Sequence, residues 1–222
     1  LLSVSGAPIG GGRHAKLPRI RNRPFPLDIS FPIKLATTHT EADESLIMRR
    51  LYLFRHAKTE AAEPGLPDRT RALVERGRKE AGTIGAYMAT HALIPDKVLL
   101  SPATRVQESW KYLAAGLRAA PDVATLARIY DASSRDMLAI IMDTAAAVQS
   151  LMIVGHNPTL QEVGVTLIAS GDIDMREALR EKLPTAGLVI IDFPFDDWSK
   201  IHPQSGRIER FVTPKSIEAA TK

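Results

Sequence analysis

Three short stretches of this sequence bring together side chains suited to handling a phosphoryl group. The first is Arg55-His56, near the end of the run Arg50–Glu60, RLYLFRHAKTE. A histidine can attack phosphorus, and an arginine can hold phosphate oxygens with a planar fork of N–H donors. The second is Ser101-Pro102-Ala103-Thr104-Arg105, and the third is Gly155-His156-Asn157-Pro158. Taken singly, each has a bland explanation. An Arg-His pair on a loop is more often solvated charge than catalysis. A Gly-His-Asn-Pro turn more often opens a helix, and a lone Arg105 would be an exposed helix residue. The bland explanations weaken together, because each stretch directly follows an apolar run of strand length.

Those runs are the elements that must position the chemistry. Leu51-Tyr52-Leu53-Phe54, Lys97-Val98-Leu99-Leu100 and Leu151-Met152-Ile153-Val154 are short and rich in aliphatic or aromatic residues, as buried strands are. Open α/β sheets bind ligands beyond the C-terminal ends of their strands, where all three stretches fall. Between them the spacing predicts helices. Residues 71–91 carry Leu73, Ala81, Ile84, Tyr87 and Met88 on one face, with Arg78 and Lys79 on a solvated one. Ser101 and Pro102 read as cap and first residue of a helix running to about Leu117, with Arg105 in its first turn near a positive helix end. Val123 to Tyr130 reads as extended, residues 134–148 as a helix, and the segment after His156 as a helix to about Ser170. Residues 171–185 read as loop with a short helix at 175–182. Gly187 to Phe193 reads as a strand. Trp198 to Pro203 and Ile208 to Val212 read as a final antiparallel pair turning at Ser205-Gly206. Alternating strands and helices predict a three-layer α/β/α domain with a mostly parallel central sheet.

Composition narrows the function classes. The 222 residues hold 45% hydrophobic and 24% charged side chains, the balance of a globular protein. There is no cysteine, which excludes disulfides, thiolate metal sites and cysteine nucleophiles. The net charge of +4 is mild, and the body shows no basic tract or aromatic stacking platform, so no nucleic-acid partner is expected. No apolar run has the length of a membrane span, and no signal-peptide order opens the chain, so the expected setting is cytoplasmic, without a membrane partner. Residues 1–48 read as a flexible extension, broken by Gly10-Gly11-Gly12 and by Pro18, Pro24, Pro26 and Pro32. The domain is expected over 49–214, with 215–222 a C-terminal tail, and Met48 is a candidate natural start. Arg13-His14-Ala15-Lys16 repeats the letters of Arg55-His56-Ala57-Lys58. It lacks a strand to hold it rigid, so it reads as coincidence.

In their order and spacing, Arg55-His56, Ser101-Pro102-x-x-Arg105 and Gly155-His156-Asn157-Pro158 resemble the histidine phosphatase superfamily, which includes phosphoglycerate mutases and acid phosphatases. Ala57-Lys58, the short chain and Thr185-Ala186-Gly187 resemble its SixA-type phosphohistidine phosphatases. The resemblance covers about residues 49–214. It implies a phosphoglycerate mutase-like fold and a hydrolase that works through a phosphohistidine on the enzyme, with no metal and no cofactor. His56 would be the nucleophile, with its other ring nitrogen donating to a backbone carbonyl. Arg55, Arg105 and His156 would surround the transferring group, whose reaction is mostly positioning and charge stabilisation. Mutase-like relatives carry a glutamate that protonates the leaving oxygen. The corresponding place here holds Asp131, which could equally cap the next helix. Lys58 could tune the pocket but reads better as a solvated lysine. Ser101 reads as a helix cap rather than a phosphate contact. Asn157 is a candidate substrate contact that could instead orient its loop.

The expected activity is removal of phosphate from phosphohistidine on a signalling or phosphotransfer protein. An imidazole leaves more readily than an alkoxide, which suits a site with a weak acid. The alternatives are a broad phosphomonoesterase of the same fold acting on a small phosphorylated substrate, and a non-catalytic phosphate-binding or interaction protein. A monomer or weak dimer is expected.

Overall fold

Along the first strand, alternate side chains enter two different cores. Leu51 and Leu53 join one buried cluster, while Tyr52 and Phe54 join the other. That alternation requires a sheet covered on both faces. The computed structural model, which describes residues 48–220, has this architecture. Expectations for residues 1–47, including the Arg13-His14-Ala15-Lys16 copy, lie outside the described residues.

The sheet has seven strands: β1 (Arg49–Arg55), β2 (Lys97–Leu100), β3 (Asp122–Thr125), β4 (Ser150–Gly155), β5 (Ile168–Gly171), β6 (Leu188–Phe193) and β7 (Gly206–Val212), in the order β3-β2-β4-β1-β6-β7-β5. The pairs β1/β4, β2/β4, β2/β3 and β5/β7 are parallel, and only β6 runs against its neighbours. Arg50 and Asp192 face each other across β1 and β6, and their paired oxygens and nitrogens at 2.7 and 2.6 Å pin that antiparallel register. One face is covered by α1 (Glu75–Thr90) and α2 (Thr104–Ala114), through Ala81, Ile84, Met88, Val106 and Leu113. The other is covered by α3 (Ser134–Met142), α4 (Thr159–Leu167) and α5 (Ile173–Glu181), through Met137, Ile141, Leu160, Val163 and Leu179. A last helix, α6 (Pro214–Ala220), carries the chain into the residues expected as a C-terminal tail. Among the described residues, no helix is long and apolar enough to cross a membrane.

Several local expectations need correction. The helix expected from residue 71 begins at Glu75. Before it lie a single 3-10 turn at Asp68–Thr70 and an extended stretch in which Leu73 bridges to Thr59. Leu73 is fully buried, so its apolar side chain fitted the helical pattern while its backbone served the loop. The helix after β2 starts two residues later than the Ser-Pro signal indicated, with Ala103 preceding Thr104. Residues 143–148 do not continue α3, and Ile168–Gly171 leaves the helix register to become the edge strand β5. Trp198–Lys200 is a 3-10 turn rather than a strand, and β7 pairs with β6 and β5 instead. Trp198 is fully buried and its indole donates to the Val148 carbonyl at 2.6 Å, so it serves as a core plug.

Candidate active site

Strand register explains how residues a hundred positions apart meet. Arg55 of β1 stands opposite Gly155 of β4, so His56 and His156 each lie one step beyond paired positions on adjacent parallel strands. Their ring centroids are 5.4 Å apart, close to the spacing of neighbouring strands. On the other side of β4, Leu100 stands opposite Val154, which brings Ser101 beside Gly155 and His156. The next stretch of chain enters α2, and Arg105 in its first turn comes back over the same strand ends.

His56 is held by backbone. Its Nδ1 lies 2.8 Å from the Ala57 carbonyl oxygen, which can only accept, so Nδ1 carries the proton and Nε2 keeps its lone pair. The side chain is 8% exposed. Burial, with smaller contributions from the charges of His156, Arg105 and Arg55, pulls its pKa down to about 3 against the upward pull of the Ala57 hydrogen bond. At neutral pH it is therefore an uncharged imidazole with a free Nε2 lone pair. Ser109, fully buried on α2, accepts from the Ala57 N–H at 2.9 Å and donates to the Arg105 carbonyl at 2.6 Å, tying the residue after His56 to the helix of Arg105.

His156 is engaged by Ser101. Its Nε2 is 2.8 Å from Ser101 Oγ, and Ser101 is fully buried. The Ala103 N–H points at the same oxygen from 3.5 Å, and the other ring nitrogen of His156 is Nδ1. That Nδ1 is buried and has no hydrogen-bond partner. Burial and then the charge of Arg105 lower the His156 pKa to about 4, with Asp68 opposing. The expectation that Ser101 caps α2 is thus corrected: the first turn of that helix has no side-chain cap, and the hydroxyl is engaged by His156 instead.

Both arginines are anchored at their Nη ends. Arg55 Nη1 donates to the Leu183 carbonyl at 2.8 Å. Arg105, 6% exposed, donates from Nη1 to the Asp68 carbonyl at 2.7 Å and pairs through Nη2 with Asp68 Oδ2 at 2.9 Å. In each guanidinium the Nε is buried and unpartnered. Arg55 Nε, Arg105 Nε and His156 Nδ1 are therefore three buried groups without a protein partner, around a neutral His56. Buried polar groups in that state can be completed by a ligand or by water.

The remaining candidates separate from this cluster. The Asn157 amide donates to Gln161 Oε1 at 3.0 Å and to the Leu183 carbonyl at 3.1 Å, so it organises the same carbonyl that holds Arg55. The Lys58 side chain is exposed, while its carbonyl accepts from the Val74 N–H at 3.1 Å. Asp131 is exposed, with no hydrogen bond or ion pair joining it to the cluster. Nor does it cap α3, because Ser133 and Asp136 form the capping box there. The carboxylate that does touch the cluster is Asp68, from the loop before α1. With it come Arg71 and Tyr130, whose ring stands edge-on to His156 at 5.4 Å. Nothing in the Pro-Asp-Arg-Thr-Arg run marks Asp68 in the sequence. Ser109, one helical turn after Arg105 on the same face, could have been found by spacing.

No family model matches the chain. An uncharacterised protein of Mycobacterium tuberculosis is 30% identical over 163 residues, covering 72% of this chain and 99% of that one. A solved structure assigned as the phosphohistidine phosphatase SixA of Agrobacterium tumefaciens is 32% identical with a TM-score of 0.64, covering 75% of this chain and 98% of that one. The protein histidine phosphatase SixA complexed with tungstate shares the fold at a TM-score of 0.56 and 15% identity, covering 76% of this chain and 99% of that one.

Proposed function

The chain belongs to the histidine phosphatase superfamily and is a phosphatase, and from that premise we propose that it removes phosphate from phosphohistidine through a phosphorylated His56. The observation that carries this reading is the set of three buried, unpartnered nitrogens on Arg55, Arg105 and His156, the residues whose charges act on a neutral His56. In the proposed first step His56 Nε2 attacks phosphorus as the bond to the leaving imidazole nitrogen breaks. Arg55, Arg105 and His156 Nδ1–H bear the charge on the equatorial oxygens. Nδ1 of His56 keeps its proton throughout, held by the Ala57 carbonyl. In the second step water attacks phosphorus, the P–Nε2 bond breaks, and the water's protons leave with inorganic phosphate.

The leaving group decides the substrate. Asp68 is ionised: burial would raise its pKa, but hydrogen bonds from Arg71 and Tyr130 and the charge of Arg105 hold it below the ordinary range. Asp131 sits unpartnered on the surface. Among the described residues no neutral carboxyl touches the cluster to protonate an alkoxide. A phosphohistidine protonated on its free nitrogen leaves as neutral imidazole and needs no such donor. The proposed partner is accordingly a phosphohistidine-bearing signalling or phosphotransfer protein.

The test is phosphate release from a phosphohistidine protein and, in parallel, from serine and sugar phosphates. The expected ranking favours phosphohistidine, with His56→Ala inactive on all of them. Faster turnover of the alkyl phosphates rejects the substrate assignment, and an active His56→Ala rejects the nucleophile.

A further inference from the structure

Asp68 is more completely engaged than any other acid near the site. Its Oδ1 accepts from Arg71 Nε at 2.8 Å and pairs with Arg71 Nη2 at 2.6 Å. Its Oδ2 accepts from the Tyr130 hydroxyl at 3.0 Å and pairs with Arg105 Nη2 at 2.9 Å. Its backbone carbonyl takes Arg105 Nη1 as well. Four donors fill a carboxylate that has about four acceptor positions, so little capacity is left for a substrate proton. A group so saturated organises its donors instead. The donors are informative: one is the guanidinium of Arg105, and another belongs to Tyr130, whose ring lies 5.7 Å from the Arg105 guanidinium and edge-on to His156.

Resting on the reading that Arg105 holds the transferring phosphoryl group, we propose that Asp68 is the positioning residue that fixes Arg105 for that task, with Tyr130 as a strut linking the same carboxylate to His156. Arg105 is nearly buried, so its long side chain has few places to put its charge other than against Asp68. Using Nη1 and Nη2 for that contact fixes the guanidinium plane while Nε stays unpartnered. A bidentate fork depends on that plane, because both donors must meet oxygens at once. The loop segment that supplies Asp68 is itself tied down: Arg71 Nη1 donates to Thr59 Oγ1 at 3.2 Å and to the Glu60 carbonyl at 3.0 Å. The loop thereby links the residues just after His56 to the arginine above them.

The experiment is a double-mutant cycle on the full chain with Asp68→Asn, Arg105→Lys and both together. Its readouts are kcat/KM on an aryl phosphate and the inhibition constant of inorganic phosphate. Asp68→Asn is expected to lower kcat/KM by about tenfold to a hundredfold, the scale of a displaced catalytic group. Phosphate inhibition should weaken alongside. In the Arg105→Lys background the same change should cost less than about threefold, because the group it acts through is already gone. Tyr130→Phe, which keeps the ring and removes one donor, should cost about threefold and carries the test if Asp68→Asn does not fold by circular dichroism. Equal losses from Asp68→Asn in both backgrounds, or a Tyr130→Phe protein with unchanged phosphate inhibition, overturn the proposal. An Arg105→Lys enzyme with full activity and undiminished phosphate inhibition instead removes the reading of Arg105 on which it stands.

Discussion

Acid should unfold this protein partly through its two buried histidines, His56 and His156, and the size of the effect can be worked out. In an unfolded chain each imidazole takes its proton near pH 6.5. In the folded protein burial and the neighbouring arginines delay that to about pH 3 for His56 and about pH 4 for His156. Folded pKa values below the unfolded value mean that the unfolded state binds more protons as pH falls below 6.5. Stability is therefore fully present above that pH and is lost on the way down to the folded pKa values. Each histidine contributes a slope approaching about 1.4 kcal/mol per pH unit. Between pH 6 and pH 4.5 that amounts to about 1.8 kcal/mol per histidine and about 3.5 kcal/mol for the pair, a large part of a typical domain stability of about 5–15 kcal/mol. The assay is urea unfolding at several pH values for the wild type, His56→Asn and His156→Asn. Carboxylates titrate in all three proteins and cancel in the differences. The wild type should lose about 1.8 kcal/mol relative to either variant over that interval. Differences that stay constant from pH 6 to pH 4.5 would show that the rings are not held neutral, and the account of His56 as a ready nucleophile would fail with them.

Ser101→Ala should leave His156 Nε2 without its hydroxyl and free the ring to change tautomer; the expected result is a stability loss of about 1–3 kcal/mol and a lower kcat, both read on purified protein. Gly77→Ala should be far more damaging than an ordinary helix substitution, because a Cβ there would lie 2.1 Å from the Lys58 carbonyl oxygen; a shift of the catalytic loop by about 1 Å corresponds to about a hundredfold loss in kcat/KM. Asp131→Asn should change activity less than twofold, and a tenfold loss would return it to the candidate acids. A chain beginning at Met48 should fold with an unchanged melting temperature and keep its phosphatase activity.

The central sheet and the four principal side chains were legible because each sits at a place where a local pattern ends. Leu51–Phe54, Val98–Leu100 and Leu151–Val154 are fully or almost fully buried runs, and such runs announce themselves. The polar residues at their C-terminal ends stand out by contrast. Asp68, Arg71 and Tyr130 sit in irregular backbone, where no periodicity singles out one polar residue among several. Their importance comes from what the fold lays against them, and a single sequence does not carry that. Leu73 and Ile168 misled for a related reason. Burial rewards an apolar side chain whatever its backbone does, so helical spacing extended through residues that are extended in the fold. Ser101 followed a sound capping rule, yet a buried imidazole one strand away competed for the same oxygen and won.

The precision of the site comes chiefly from main chain. The Arg55 N–H donates to the Gly187 carbonyl and the His56 N–H to the Gly155 carbonyl, both at 3.1 Å, so the backbone of His56 extends the sheet into the loop. The Ala186 N–H closes on the carbonyls of Arg55 and His56 from the other side, at 3.1 and 3.2 Å. To do so Ala186 adopts φ of 56°, a left-handed conformation that disfavours any residue with a Cβ by about 1–2 kcal/mol. The Ala57 N–H goes to Ser109 and the Lys58 carbonyl to Val74. Residues 55–58 are thus gripped from β4, from the turn before β6, from α2 and from the start of α1. Under the proposed function, a histidine on so constrained a backbone has little reorganisation left to undergo on binding phosphate, the condition under which fixed dipoles and charges act most strongly on a transition state. The strain accepted at Ala186 lies at a turn that touches both Arg55 and His56, where, under the proposed function, positional error would matter most.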